Sequence, residues 1–123
     1  MFVLFDTNFL VLPFQFKFDL FGNLREMLEG RLEFCLVGLS FYELDHIGLA
    51  ESVKNEILKL ISEKNFRTIE SNNPKADDAI FEFACKNKRD VIVCTNDMLL
   101  RKRLQKQGVR TIGLRGKSRL SFY

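Results

Sequence analysis

Short apolar runs alternate along this chain with longer stretches whose apolar residues recur every three or four positions. Residues 2–5, 34–37, 66–69, 91–94 and 109–114 are the short runs, rich in Val, Ile, Leu and Phe, and they read as strands. Leu20, Leu24, Met27 and Leu28 mark one helical face over residues 20–28. Val53, Ile57, Leu60 and Ile61 mark another over residues 51–64. Ser40 predicts the cap of a short helix ending near Gly48, and residues 76–86 form a further helix. Asn96 starts a last helix that Gly108 closes. Asn72-Asn73-Pro74 breaks the pattern before residue 76, and no internal repeat or low-complexity linker is visible. Strands alternating with helices, and strands apolar on both faces, predict an α/β fold: a three-layer α/β/α sandwich around a mainly parallel sheet.

The acids that interrupt this pattern fall at its seams. Asp6 follows the first strand directly, where a carboxylate is costly to bury without a partner, and Thr7 and Asn8 come next. Glu43 lies on the helix after the second strand, Asp77 and Asp78 open the helix after the third, and Asp97 opens the helix after the fourth. Open α/β sheets bind ligands outside the carboxyl ends of their strands, so four junctions each bring a carboxylate to one edge. Each acid also has a purely structural reading. Asp-Thr-Asn suits a turn, and Ser40-x-x-Glu43 is a capping box. Asp77, Asp78 and Asp97 sit in first helical turns, where the dipole favours an acid by roughly 0.3–1 kcal/mol.

Taken together, anions converging on one edge repel and raise one another's pKa, a penalty that a divalent cation removes. Carboxylate donors with no Cys or His among them point to Mg²⁺ or Mn²⁺ rather than zinc. The candidate metal ligands are Asp6, Glu43, Asp77, Asp78 and Asp97. His46, the single histidine, reads as a surface or packing residue. Helix geometry divides Asp77 from Asp78. At about 100° per residue, a core face of Ala76, Ile80, Phe83 and Ala84 has Asp77 at its edge, aimed at the strand ends. Asp78 then faces solvent.

Length and charge add a partner. The 123 residues suit a single domain, residues 1–123, with 114–123 as a basic tail. Residues 101–123 hold eight Lys or Arg and no Asp or Glu, whereas the first hundred carry 11 basic and 16 acidic groups. An acid-free basic end suggests a polyanion, and Arg101, Lys102, Arg103, Arg115, Lys117 and Arg119 are the candidate nucleic-acid contacts. Phe14, Phe16 and Phe18 are candidates for base stacking, although packing into a core or a dimer contact is the commoner use of Phe. No apolar run approaches the roughly 20 residues of a membrane helix. The start lacks the features of a signal peptide, and Cys35, Cys85 and Cys94 are scattered as in a reducing compartment. A cytoplasmic location is expected.

The strand-terminal Asp6-Thr7-Asn8, Glu43 within SFYELDHI, the ADDAIFEFA helix opening and VCTND together resemble the PIN-domain family, over residues 2–114. The resemblance implies a metal-dependent endoribonuclease, usually a homodimer, using Mg²⁺ or Mn²⁺. Its acids would be Asp6, Glu43, one of Asp77 and Asp78, and Asp97, supported by Thr7, Asn8, Thr95 and Asn96. The family's acid usually stands seven residues before a small residue, as Asp77 does before Ala84. LPFQFKFD and LRGKSRL look closer to the ribosome-biogenesis endonuclease branch than to VapC-type toxins, so the implied partner is a ribonucleoprotein or, in the second case, an antitoxin. Many relatives carry a further acid just beyond Asp97, where this chain has Met98, Leu99 and Leu100, one ligand fewer for a second metal. Two alternatives come from other classes. One is a PIN-like RNA-binding scaffold without catalysis. The other is a receiver-like phosphate domain, which would want an acceptor Asp where this chain has Glu70-Ser71 and a Lys where it has Arg115.

Overall fold

The computed structural model describes residues 1–123. Its sheet grows outward from β1 (Phe2–Phe5), which pairs in parallel with β2 (Glu33–Val37) on one side and β4 (Val91–Cys94) on the other. β3 (Arg67–Ile69) extends the sheet beyond β2, and β5 (Arg110–Arg115) extends it beyond β4, both in parallel. β6 (Arg119–Phe122) closes that side as an antiparallel edge. The order is β3-β2-β1-β4-β5-β6. The chain winds one way from β1 to β3 and the other way from β4, so the crevice between β1 and β4 is the topological switch point.

Helices α1 (Leu12–Phe16), α2 (Leu20–Met27), α3 (Leu39–Leu44), α4 (Glu51–Glu63), α5 (Ala76–Lys86) and α6 (Met98–Lys106) complete the layers. Successive strand residues point to opposite faces, and both faces are covered. Val3, Phe5, Leu36, Ile92 and Cys94 pack with Leu20, Leu24, Ile57 and Ile61 on one side. Leu4, Cys35, Val37, Val91 and Val93 pack with Ile80, Ala84, Leu100 and Leu104 on the other. The expected three-layer α/β/α sandwich is the observed one. Phe5 sits among the rings of Phe9, Phe21, Phe34 and Phe66, with centroids 5.3–6.3 Å away. Dense aromatic packing thus fixes β1 one residue before Asp6. No helix is long and apolar enough to cross a membrane.

Three local features depart from the pattern-based expectation. Residues 7–16, given no helix, form a 3-10 turn (Thr7–Val11) that runs into α1, whose first turn contains Pro13. α3 begins two residues earlier than the Ser40 cap requires, with Gly38 preceding it in helical backbone. Ser40 therefore lies inside the helix, and its buried hydroxyl has no hydrogen-bond partner. The capping box does not form. The stretch read as a basic tail folds back at Gly116 (φ 68°) so that β6 pairs with β5 and Leu120 enters the core.

Candidate active site

The site is built where β1 and β4 end side by side. The Asp6 N–H donates to the Cys94 carbonyl (3.0 Å), which carries the ladder one residue beyond β1 and buries the side chain at 7 % exposure. Thr95 Oγ1 donates to Asp6 Oδ2 at 2.8 Å. Burial above all, opposed by the Thr95 bond and helped by the charges of Asp77, Glu43 and Asp97, pushes the Asp6 carboxyl up to about 6. The next residue, Thr7, is also buried, and its hydroxyl donates to Glu43 Oε1 at 2.6 Å. That bond, not a capping box, orients Glu43 on α3.

Asp97 is exposed and held by the helix it starts. Its Oδ1 accepts from the N–H groups of Leu99 (2.9 Å) and Leu100 (3.2 Å), and its own N–H donates to Thr95 Oγ1 (3.0 Å). Asp77, in the first turn of α5, has its pKa raised by partial burial and then by Asp97 and Glu43. All four acids line one cavity of about 550 Å³ with Asn8, Asn96 and Gln15, against an apolar wall of Phe9, Val11, Leu12, Ile47 and Leu49. They share this space without any three closing to the spacing of a metal cage.

The remaining candidates separate. Asp78 does not line the cavity; as expected its side chain is open to solvent, and there Arg103 Nη1 reaches its Oδ1 at 3.0 Å from α6. The Arg103 guanidinium also lies 4.4 Å from the Phe81 ring centroid. Arg101, expected among the RNA contacts, is committed inside the molecule. Its Nη2 donates to the Thr95 carbonyl at 3.0 Å, and its guanidinium lies 3.9 Å from the Tyr123 ring centroid. A Cβ at Gly113 would stand 2.2 Å from that nitrogen, so β5 admits the guanidinium only because residue 113 is glycine. Asn96 reaches the same hairpin, its Oδ1 accepting from the Leu114 N–H at 2.8 Å. Lys102, Arg115, Lys117 and Arg119 are exposed.

Sequence reasoning missed Gln15 and the apolar wall beside it, although Pro13 at the start of a helix was an available signal. It also missed the structural role of Arg101, for which the lone glycine inside a strand was the clue. His46 lies outside the cavity lining, stacked on the exposed Tyr42 ring at 4.1 Å, and its Nδ1 donates to the Tyr42 carbonyl (2.8 Å).

The sequence profile of the family described as PIN like domain matches residues 3–117. The chain belongs to the PIN-like domain family. This PIN-like domain is 26% identical over 123 residues to Ribonuclease VapC4 of Methanocaldococcus jannaschii, an alignment covering 96% of this chain and 93% of that protein. Its fold is similar to that of the PIN domain endonuclease Utp24, with a TM-score of 0.81 and 25% sequence identity. That match covers 98% of this chain and 90% of the Utp24 chain. The family resemblance carried by the four acidic motifs is therefore borne out.

Proposed function

We propose that this PIN-like domain is a divalent-cation-dependent endoribonuclease acting in the cavity between β1 and β4. The observation that carries the reading is the convergence of Asp6, Glu43, Asp77 and Asp97, from four separate strand-to-helix junctions, on one cavity. Its similarity to a ribonuclease and to an endonuclease of the same family supports the reaction class.

The residues fit a hard cation. A buried carboxyl raised to about 6, crowded by three other acids, marks a site short of positive charge. The polar lining is made of carboxylates and amides, with no thiol or imidazole. Such donors suit Mg²⁺ or Mn²⁺, and Mg²⁺ commonly keeps several waters rather than a full protein cage. Asp6, Glu43, Asp77 and Asp97 would hold the ion, and Asp78 is left out because Arg103 holds it. When bound, the ion lowers the pKa of a water and offsets charge on a phosphodiester. Thr95 and Thr7 fix the rotamers of Asp6 and Glu43, and the wall of Phe9, Val11 and Leu12 limits water on one side. An acidic cavity repels RNA unaided, so Lys102, Arg115, Lys117 and Arg119 hold the flanking phosphates. Met98 and Leu99, 61% and 77% exposed beside Asp97, offer apolar surface for a homodimer or a protein partner.

Incubation with single-stranded and structured RNA, with Mn²⁺, with Mg²⁺ and with EDTA, tests the proposal. Internal cleavage that needs the cation and is lost in Asp77→Asn but kept in Asp78→Asn is the expected result. Cleavage unaffected by EDTA, or no cleavage of any RNA, overturns it.

A further inference from the structure

A second cleft lies at the opposite edge of the sheet, where the strands begin. It has a volume of about 520 Å³, and Arg25, Arg31 and Lys64 line it above Leu32 and Phe34. A neighbouring lobe of about 330 Å³ shares Arg25, Leu32 and Phe34. The positions follow from the topology. Arg31 precedes β2, Lys64 precedes β3, and Arg25 projects from the last turn of α2. Strands of four or five residues separate this edge from the acidic one by roughly 15 Å.

Its charge is not neutralised. None of Arg25, Arg31 and Lys64 forms an ion pair with a carboxylate. Glu33, the lining carboxylate, is held by Arg67 at 3.6 Å. Two of the cations rest on aromatic faces instead. The Arg25 guanidinium lies 5.8 Å from the centroid of Phe34, and the Lys64 ammonium lies 5.1 Å from that of Phe21. Aromatic faces position a cation without using its N–H donors, so these donors stay free for an anion. The concentration stands out because the first hundred residues carry more acids than bases.

We propose that this cleft is a binding site for a phosphate-bearing nucleotide, separate from the acidic cavity. Arginine forks match phosphate oxygens in bidentate geometry. The volume lies within the usual range of small-molecule sites, and the half-buried Leu32 offers apolar contact to a base. The nucleotide is either free or part of an RNA strand that passes round the domain. The site does not depend on the nuclease reading, since its residues lie outside the acidic cavity.

The test uses metal-free full-length Asp6→Asn protein, so that binding is read without cleavage. Its probes are inorganic phosphate and AMP by calorimetry, and a fluorescein-labelled 12-nucleotide RNA by anisotropy across a salt series. The variants are Arg25→Glu with Arg31→Glu, and separately Lys64→Gln, with unchanged thermal midpoints as the folding control. If RNA is the source, the double variant weakens RNA binding about tenfold and lowers the salt slope by roughly 1.4. If a free nucleotide is the source, saturable AMP binding is lost while RNA affinity holds. A response to the charge reversals alone, with Lys64→Gln unchanged for every probe, overturns the three-cation cleft. Equal binding of all probes by all variants overturns the site altogether.

Discussion

Two neighbouring strand ends carry the same three residue types in different order. β1 is followed by Asp6-Thr7-Asn8, and β4 by Thr95-Asn96-Asp97. At the first, carboxylate and threonine are both buried, and the charge of the carboxylate is what the fold holds uneasily. At the second, the threonine is the buried member, and its hydroxyl both donates to Asp6 and accepts from the Asp97 N–H. The asparagines diverge too, Asn8 open to the cavity and Asn96 tied to Leu114. Residue type alone does not assign these roles. Position relative to the last ladder bond does: the residue that carries on the pairing, Asp6 at one end and Thr95 at the other, is taken inside.

The largest effect should come from Asp6. Asp6→Asn is expected to lower RNA cleavage by about a thousandfold, while raising stability without added cation at pH 7.5 by about 1–3 kcal/mol. Urea unfolding beside a cleavage assay reads both. Loss of stability would mean that the buried charge is compensated in a way this site does not suggest.

Asp97→Asn sharpens the contrast. It should also impair cleavage, by about tenfold or more, but leave stability within about 0.5 kcal/mol, because Asn caps a helix as well as Asp does. A stability gain equal to that of Asp6→Asn would erase the difference between the two ends.

The threonines give a smaller effect. Thr95→Val removes a donor to Asp6 and an acceptor for Asp97, and should cost about 1–3 kcal/mol. Thr7→Val breaks a single bond to Glu43 and should cost about 1 kcal/mol. Matched thermal melts decide the ordering.

The same buried charge can be read without substitution, in pH. A carboxyl raised to about 6 in the fold, against 3.8 ordinarily, binds more protons folded than unfolded between those values. Its contribution to stability therefore declines as pH rises from about 4 to 6 and is level above that. In EDTA, the wild-type protein should lose stability relative to Asp6→Asn over this window. Parallel pH profiles would remove the burial argument for Asp6.

Much of this was legible because the signals were periodic or local. Residues 91–94 and 76–86 fall where the apolar pattern puts them, and an acid touching a buried strand marked Asp6. Asp77 enters the cavity because the 100° helical turn puts it beside Ile80 and Ala84, and both pack on the sheet. What was not legible depended on distant partners. Ser40 matches a capping box in sequence, but Gly38 starts the helix first and Thr7 takes Glu43. The basic residues around Leu120 hid a strand whose pairing exists only against β5. Arg103 turns to Asp78, and Arg101 to Tyr123 and the Thr95 carbonyl, for reasons outside their own helix.

The bond from Thr95 to Asp6 spans 89 positions of the chain, and this has a consequence during synthesis. A chain growing on the ribosome exposes Asp6, Glu43 and Asp77 well before β4 and Asp97 emerge. Until then β1 lacks the neighbour that carries the ladder to Asp6, and nothing closes the far side of the cavity. Contacts between such remote segments form late, once the loop between them can close. Assembly of the acidic cavity is thereby tied to the emergence of residues 91–97, however early Asp6, Glu43 and Asp77 are made.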